Sequence, residues 1–492
     1  MALTNEQEAG LLEVLTAFQN GKRINELQPA RGAVRDMQVE VMDETGETRK
    51  MPLSEAVQQA ENPVAGRYWV IANATPTAAG YYGSLAALRA LPERLGLGRY
   101  LVTDDRQKRK LDPTDSTRYA DGTPAALDGS QGQCMWCWNG FYANIFTEGG
   151  NLVKAVTFDK PIGNGFSCWI PAGGTSWLGA GVMDRTNAKL VSVISTDERY
   201  RGGSGSAINA ASLTKAPAAG SPQLTMLGMP ASNISTTNFG TYARKHGEGW
   251  EANWFVARFV EEFLFEVIMG TNDSQATFQA TKDANGLYRG GFGTGVTNMN
   301  DWEHYNSFYP LIPTSVGLEA GDGVCLVDYD LPDGEGGVYQ TFHVPVFFGL
   351  VHAGYGHMGR WVRGLIVSQT AGEKTEVYVS PSMYAQFDPT TVTGLLKACE
   401  CPQAQGYIKR KSYNRLCCMP TEVGGSASTY YPDYFYTDGA TATGLRVRAA
   451  GGRSVAGTTA GASCSHATNA ATSAYAYYSS PLCYFEEDPV VA

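Results

Sequence analysis

The sequence has few charged residues and no excess of positive charge. Only 17% of its residues are Asp, Glu, Lys or Arg, and 38 basic residues stand against 48 acidic ones, for a formal net charge of −10. Proteins that bind nucleic acid need clustered cations to neutralise phosphates. We therefore expect no nucleic-acid partner. The one basic run, Arg106 to Lys110, sits beside Asp104 and Asp105 and is interpreted as a solvated loop or strand edge.

Long apolar runs are missing as well. The most apolar stretch, Trp254 to Met269, is interrupted by four charged residues, so it cannot span a bilayer, and we expect no membrane insertion. The first ten residues are polar, and no early apolar region precedes a small-residue cleavage site. We therefore expect no secretory signal peptide.

The ten cysteines are too few to form a disulfide framework in a chain of 492 residues. Three close pairs stand out, namely Cys134 with Cys137, Cys399 with Cys401, and the adjacent residues 417 and 418. A zinc site built from the first pair and one later pair is an alternative, although its spacing matches no standard zinc finger. We interpret the thiols as small core residues of a protein assembled in a reducing cytosol.

Catalytic motifs are scarce too. No lysine follows the glycine-rich run 290–295 where a phosphate-binding loop would need one. None of the six histidines stands in a nucleophile-base motif, and no EF-hand loop surrounds Asp328 and Asp330. We therefore expect no catalytic residue, no metal site and no cofactor.

The C-terminal stretch Gly444 to Pro489 has the most unusual composition. Residues 449–485 contain no Lys, Glu, Gln, Met, Trp or Asp, and small or hydroxylated residues alternate with Tyr, His and Asn over most of that length. An apolar strand signal at Leu445 and Val447 and a Gly-Gly turn precede the soft part, and the apolar residues 481–485 follow it. Predicted strands on both sides of a segment of small and hydroxylated residues indicate a binding surface that is held by a scaffold.

Two family resemblances meet in this stretch. The frame GLRVRAAGGRS, closed by SSPLCYF, resembles the last strands of C-type lectin folds of the formylglycine-generating-enzyme type. The run GHMGRWV at residues 356–362 is similar to the Gly-Asn-Val-Trp-Glu-Trp stretch of that family, although Arg360 replaces the acidic residue. The segment inside the frame resembles the variable region of diversity-generating retroelement target proteins. In that family, substitution at the adenines of Asn codons cannot yield Lys, Glu, Gln, Met or Trp.

The resemblance implies an α+β fold of the C-type lectin type, with twisted antiparallel strands, flanking helices and long loops. This domain would cover residues 120–492 and contain the variable region 449–485. Residues 1–64 are predicted to form a fibre-attachment and oligomerisation module, and residues 65–119 a connecting region.

Local patterns add four predictions. The apolar spacing of residues 11–18 predicts an amphipathic helix that needs a partner, and the polar runs around residues 44–47 predict a hairpin. Residues 249–269 predict a helix buried at the centre of a domain, because only one narrow stripe of it is polar. The Trp-rich region 121–182 is interpreted as core, with a sugar-binding platform as the alternative.

If the segment is diversified, the surrounding fold must tolerate every substitution in it. The substituted side chains are therefore predicted to face solvent. The predicted ligand-binding positions are Val455, Ala456, Thr458, Thr459, Ser463, Ser465, His466, Thr468, Asn469, Ser473, Tyr475 and Tyr477. The intervening residues predicted to be packed are Gly457, Ala460, Gly461, Ala467, Ala470 and Ala471.

The function implied by the resemblance is attachment to a host cell. The chain resembles tail-fibre receptor-binding proteins of Bacteroides phages, assembled in the host cytoplasm and carried at the fibre tip of the virion. Its partners would be a host bacterial surface protein or glycan and other phage tail proteins, and a homotrimer is expected because linked copies strengthen weak binding. The alternatives are an enzyme on the same fold, either a formylglycine-generating-like oxidase or a glycan-processing enzyme, and a purely structural fibre protein.

Overall fold

The computed structural model describes the backbone of residues 38–42, 48–52 and 65–69, and residues 74–213, 216–299, 311–489 and 491 in full. Within these residues strands predominate and helices are few, which agrees with an α+β or mostly-β architecture. The predicted helix over residues 11–18 lies outside the described residues.

The strands in chain order are β1 Gln38–Met42, β2 Thr48–Pro52, β3 Ala65–Trp69, β4 Gly80–Gly83, β5 Gly98–Val102, β6 Lys108–Lys110, β7 Gln133–Trp138, β8 Phe141–Glu148, β9 Asn151–Thr157, β10 Phe166–Ile170, β11 Gly173–Ser176, β12 Val182–Asp184, β13 Lys189–Val191, β14 Tyr200–Arg201, β15 Trp250–Ala252, β16 Val324–Pro332, β17 Val338–Phe347, β18 Leu350–Val351, β19 Gly359–Thr370, β20 Lys374–Val379, β21 Leu396–Glu400, β22 Gly406–Ser412, β23 Met419–Val423, β24 Tyr434–Thr437, β25 Gly444–Ala450, β26 Ser465–Asn469, β27 Tyr478–Ser479 and β28 Leu482–Phe485.

The α-helices among the described residues are α1 Leu85–Arg94, α2 Pro222–Thr225, α3 Thr236–Ala243 and α4 Phe255–Met269. Short 3-10 turns occur at Ala210–Ser212, Arg244–His246, Leu318–Ala320, His352–Gly354, Asn414–Leu416 and Gly457–Thr459. Among the helices in the described part of the chain, none combines the length and apolar character needed to cross a bilayer.

The strands form several sheets. β1 and β2 pair as the predicted hairpin. A five-stranded sheet has the order β10-β8-β9-β3-β4, and a six-stranded sheet has the order β15-β28-β11-β7-β5-β6. Two three-stranded sheets have the orders β13-β12-β14 and β16-β17-β18. The largest sheet runs β21-β20-β19-β25-β26-β24-β22-β23, with β27 paired in parallel to β19.

The predicted boundary at residue 120 does not separate two structural units. Strand β3 pairs with β9, and β5 pairs with β7, so residues 65–119 supply strands to the same sheets as later residues. Backbone hydrogen bonding across this boundary makes the predicted connecting region part of the folded core. The separate role predicted for residues 1–64 stays a prediction.

Helix α4 is the centre of the hydrophobic core, as its sequence predicts, and every residue from Phe255 to Met269 is buried. It begins later than predicted, because Trp250–Ala252 forms β15 and pairs with β28 instead. Its polar stripe does not reach solvent. Glu266 accepts a hydrogen bond from Lys154 at 2.6 Å, and Arg258 donates to Glu261 at 2.9 Å. The helix therefore carries a buried network of charges.

The tryptophans of the region 121–182 divide between core and surface. Trp136, Trp138 and Trp177 are fully buried, in agreement with their interpretation as core. Trp169 is 41% exposed on β10, which lies at an edge of the five-stranded sheet. The buried three cannot serve as a sugar platform.

Candidate functional site

The C-terminal stretch is fixed at both ends by different sheets. Before the soft segment, β25 pairs with β19, and after it, β28 lies between β15 and β11. The turn after β25 depends on Gly452, whose φ is +73° and where an added Cβ would lie 2.6 Å from the Cβ of Ala460. The segment therefore begins at a tight turn and lies between two paired strands.

Most of the predicted ligand-binding positions are accessible to solvent. Val455, Thr458, Thr468 and Tyr475 are exposed, and Ala456, Thr459, His466, Asn469, Ser473 and Tyr477 are half-buried. Of the residues predicted to be packed, Ala460, Gly461, Ala467 and Ala471 are buried. The alternation of accessible and packed residues is therefore largely as predicted.

The prediction that Ser463 and Ser465 face solvent is wrong, because both residues are buried. The Ser463 hydroxyl donates to Glu262 of α4 at 2.5 Å and accepts from Lys411 at 2.9 Å. The Ser465 hydroxyl accepts from the Arg448 guanidinium at 3.0 Å. These two hydroxyls join the segment to the buried charges, so we assign them to the frame.

The prediction that Gly457 and Ala470 are packed is also wrong, because both are accessible to solvent. Gly457 is half-buried at the start of a 3-10 turn, and an added Cβ would meet no atom within 4 Å. Ala470 is exposed directly after β26 ends. Both residues lie in turns that project outward, where a side chain has little to pack against.

Seven of the ten accessible positions line a groove of about 390 Å³. Its lining includes many of the predicted positions, namely Val455, Ala456, Thr459, His466, Thr468, Asn469 and Tyr477. Tyr436, Arg453 and Tyr478 complete the lining. The structure thus brings together residues that are separated along the segment into one concave site.

Two stacked ring pairs contribute to this site. His466 lies on Tyr436 with ring centroids 4.1 Å apart and planes within 13°. Tyr475 and Tyr477 stack with centroids 5.2 Å apart and planes within 8°. The Arg453 guanidinium lies over the Tyr477 ring, with its carbon 4.4 Å from the centroid. Stacked rings present flat apolar faces at low conformational cost.

Sequence reasoning missed the tyrosines that β24 contributes. Tyr436 donates to the Thr459 hydroxyl at 2.8 Å, and Tyr434 packs on Tyr436 with centroids 4.6 Å apart. The ring centroids of Tyr407, in β22, and Tyr434 are 5.2 Å apart. The Tyr407 hydroxyl lies 3.3 Å from the Thr458 hydroxyl. The alternation of half-buried Tyr with buried Phe435 in β24 is the signal that could have identified this face.

The cysteines lie mainly in the interior. Cys134 and Cys137 of the first pair are buried, and burial raises the pKa of each thiol to about 12. The sulfurs of Cys399 and Cys417 are 3.7 Å apart. Within the described residues, no group of three or more His, Cys, Asp or Glu side chains is arranged to hold a metal ion.

Comparison with known protein families finds no family model that matches the chain, and comparison with curated proteins finds no match.

Histidine 466 gives a direct test of the groove's environment. Burial, with a contribution from Arg453, lowers the pKa of His466 to about 3, from an ordinary value of 6.5. We expect NMR of ring-labelled histidine to show His466 neutral at pH 5, and Arg453→Gln to raise its pKa by removing the positive neighbour. Between pH 6.5 and 3 the unfolded chain binds the proton more readily, so this site favours unfolding as pH falls. A titration midpoint near 6.5 would mean that the ring is solvated.

Proposed function

We propose that this chain is a receptor-binding protein of a phage tail fibre. A C-type-lectin-like frame would display a retroelement-diversified groove to a host surface molecule. One observation carries the proposal: positions predicted from the sequence to be variable converge on one concave site, which is lined by Val455, Ala456, Thr459, His466, Thr468, Asn469 and Tyr477.

The way the groove is built supports this proposal. The seven predicted positions that line it are exposed or half-buried, whereas Ser463, Ser465 and Ala467 are buried. Substitutions of exposed residues usually change stability by about half a kcal/mol. A segment with this division can therefore change its contact surface many times without losing its fold, which is what a diversified receptor-binding site requires.

The chemistry of the groove suits adaptable binding. Tyrosines provide rigid contact area, and Thr459, Thr468 and Asn469 provide hydroxyl and amide groups that both donate and accept hydrogen bonds. Antibody binding sites use the same combination. Attachment through a homotrimeric fibre, as we propose, would multiply weak single-site binding.

The thiols give no support to an oxidase on the same fold. Such an enzyme needs reactive cysteines near the closing strands, where Cys464 and Cys483 are the candidates. Both are buried, and burial raises the pKa of each thiol above its ordinary value. A reactive thiolate needs the opposite shift.

Filling the groove tests the proposal directly. We expect Ala456→Trp to reduce adsorption of the purified, labelled chain to host cells at least tenfold, because the indole would occupy space that the receptor needs. The matched control is Val338→Trp, which adds the same side chain at a position that is 53% exposed on β17 and does not line the groove. Equal adsorption by both variants would contradict a receptor site in the groove.

The proposed diversification has an independent test in the DNA that surrounds the gene. We expect a reverse-transcriptase gene and a near-repeat of the segment encoding residues 449–485, differing from it at adenine positions of the repeat. The control is the adjoining sequence that encodes β25, which should match without such differences. Sequencing that finds no repeat would remove diversification from the proposal and leave receptor binding to the adsorption test.

A further inference from the structure

The groove carries a positive charge in an acidic protein. Arg453 is the only Asp, Glu, Lys or Arg among the described residues that line it, whereas the chain has a net charge of −10. Arg453 follows the Gly451-Gly452 turn and precedes Val455, the first predicted variable position. The charge therefore sits at the fixed edge of the site.

Three arginines close together in the sequence, Arg446, Arg448 and Arg453, differ in the partners of their guanidinium groups. Arg448 is fully buried and donates to Ser465, with Glu262 at 3.8 Å. Arg446 forms an ion pair with Asp438 at 3.0 Å. In the part of the chain that the structure describes, Arg453 contacts the Tyr477 ring but has no carboxylate partner. Arg453 is half-buried and lines the groove.

This arrangement leaves the Arg453 charge open to a ligand. A guanidinium binds a carboxylate through two parallel hydrogen bonds, and partial burial strengthens such a pair relative to water. Stacking on Tyr477 limits the freedom of the side chain, so less conformational entropy is lost on binding. After burial, the positive charge of Arg453 is the second cause of the lowered pKa of His466, which also lines the groove.

The rest of the lining favours a sugar as the bearer of that carboxylate. The stacked rings of Tyr436 and His466 line the groove, and the exposed ring of Tyr475 stacks on the lining residue Tyr477. Such aromatic rings can pack against the C–H face of a sugar ring. Thr459, Thr468 and Asn469 offer groups that can exchange hydrogen bonds with sugar hydroxyls.

We propose that the groove binds an acidic sugar of a host surface glycan, with Arg453 holding the sugar carboxylate. This inference rests on the proposed receptor-binding function and names the ligand class of the same site. Arg453 would be the constant contact, and the variable side chains would select among glycans that share the carboxylate.

Matched pairs of polysaccharides test the inference. The probes are immobilised uronic-acid polysaccharides, including capsular material from the adsorbing host, each beside its carboxyl-reduced neutral counterpart. We expect binding to at least one acidic member, with the neutral member bound about 10- to 100-fold more weakly, as for the loss of a charged hydrogen-bonded contact. Arg453→Gln should lose affinity by a similar factor, and Arg453→Lys should recover part of it. The control Arg446→Gln removes a cation outside the groove lining and should bind normally.

The outcomes separate this inference from the proposed function. Unchanged host adsorption by Arg453→Gln, with an unfolding midpoint like that of the parent chain, would overturn the acidic-sugar inference and leave the receptor-binding function standing. Adsorption that depends on Arg453 but is abolished by protease treatment of the cells, and not by periodate, would assign the carboxylate to a protein and also overturn it. If the parent chain does not adsorb to host cells at all, both the receptor-binding function and the acidic-sugar inference are wrong.

Discussion

Replacing Glu262 by alanine is expected to destabilise the protein by about 3–5 kcal/mol, the usual effect of removing one partner from a buried ion pair. The Glu262 carboxylate is buried on α4, where it contacts the Lys411 ammonium and accepts from the Ser463 hydroxyl at 2.5 Å. The Arg448 guanidinium lies 3.8 Å away. Without the carboxylate these cations lose their shared counter-charge in the interior. Urea unfolding followed by far-UV circular dichroism measures the change.

A matched control is available at strand β22, which carries both Lys411 and Lys409. Glu422 forms an ion pair with Lys409 at 2.6 Å, but this pair is solvent-accessible. Glu422→Ala should therefore change the free energy of unfolding very little, since water and salt screen exposed pairs. Glu262→Gln keeps the shape and removes only the charge. If Glu262→Gln and Glu422→Ala unfold at the same urea concentration, the buried charge network does not support the frame.

The same carboxylate gives the stability a dependence on pH. Burial alone raises the pKa of Glu262, but the positive charges of Lys411 and Arg448 outweigh it and lower the pKa from 4.5 to about 2. The unfolded chain therefore binds a proton more readily between these values. The stability that Glu262 contributes is present above pH 4.5 and is lost as pH falls toward 2. In Glu262→Gln this part of the pH dependence should be absent.

Helix α4 shows what a sequence pattern can and cannot predict. Its burial follows from the single polar stripe, and the structure confirms it. The partners of that stripe, Lys154 and Lys411, lie far away in the sequence, and no local spacing points to them. The late start of the helix has the same origin, because Trp250–Ala252 pairs with β28 as strand β15 instead.

The groove shows the same limit at the scale of single residues. Composition identified the segment, but it could not distinguish a serine that faces solvent from one that faces Glu262. Ser463 lies just before β26 and Ser465 begins it, and their hydroxyls bond to the buried Glu262 and Arg448 side chains. Tyr436 and Arg453 were missed because they lie outside the set of predicted variable positions, although they line the same groove. Side-chain direction depends on non-local pairing, which one sequence does not reveal.

A chain of aromatic rings connects the groove to the core, and its two ends should respond differently to truncation. Tyr475 and Tyr477 stack at the surface, and Tyr477 lies 5.0 Å from Tyr478. Tyr478 in turn packs on Trp361 with centroids 4.2 Å apart. These ring contacts therefore form a continuous series from the solvent-exposed Tyr475 to the buried Trp361.

Trp361→Ala should damage folding. Trp361 is fully buried in β19, and its indole N–H donates to the Ile234 carbonyl at 3.1 Å. Removing such a ring leaves a cavity and an unpaired carbonyl, at a cost of about 3–5 kcal/mol. We expect a marked fall in the melting temperature, measured by thermal unfolding, with adsorption lost only in proportion to the unfolded fraction.

The Tyr475→Ala/Tyr477→Ala variant should do the reverse. Tyr475 is 38% exposed and Tyr477 is half-buried at the groove, so stability should change by less than about 1 kcal/mol. Removing a central aromatic anchor from an interface costs on the order of 2 kcal/mol or more, so host adsorption should fall at least tenfold. Thermal unfolding and adsorption are measured on both variants side by side. If the double tyrosine variant adsorbs normally, or unfolds at as low a temperature as Trp361→Ala, these rings serve the frame, and receptor binding must be sought on another face of the molecule.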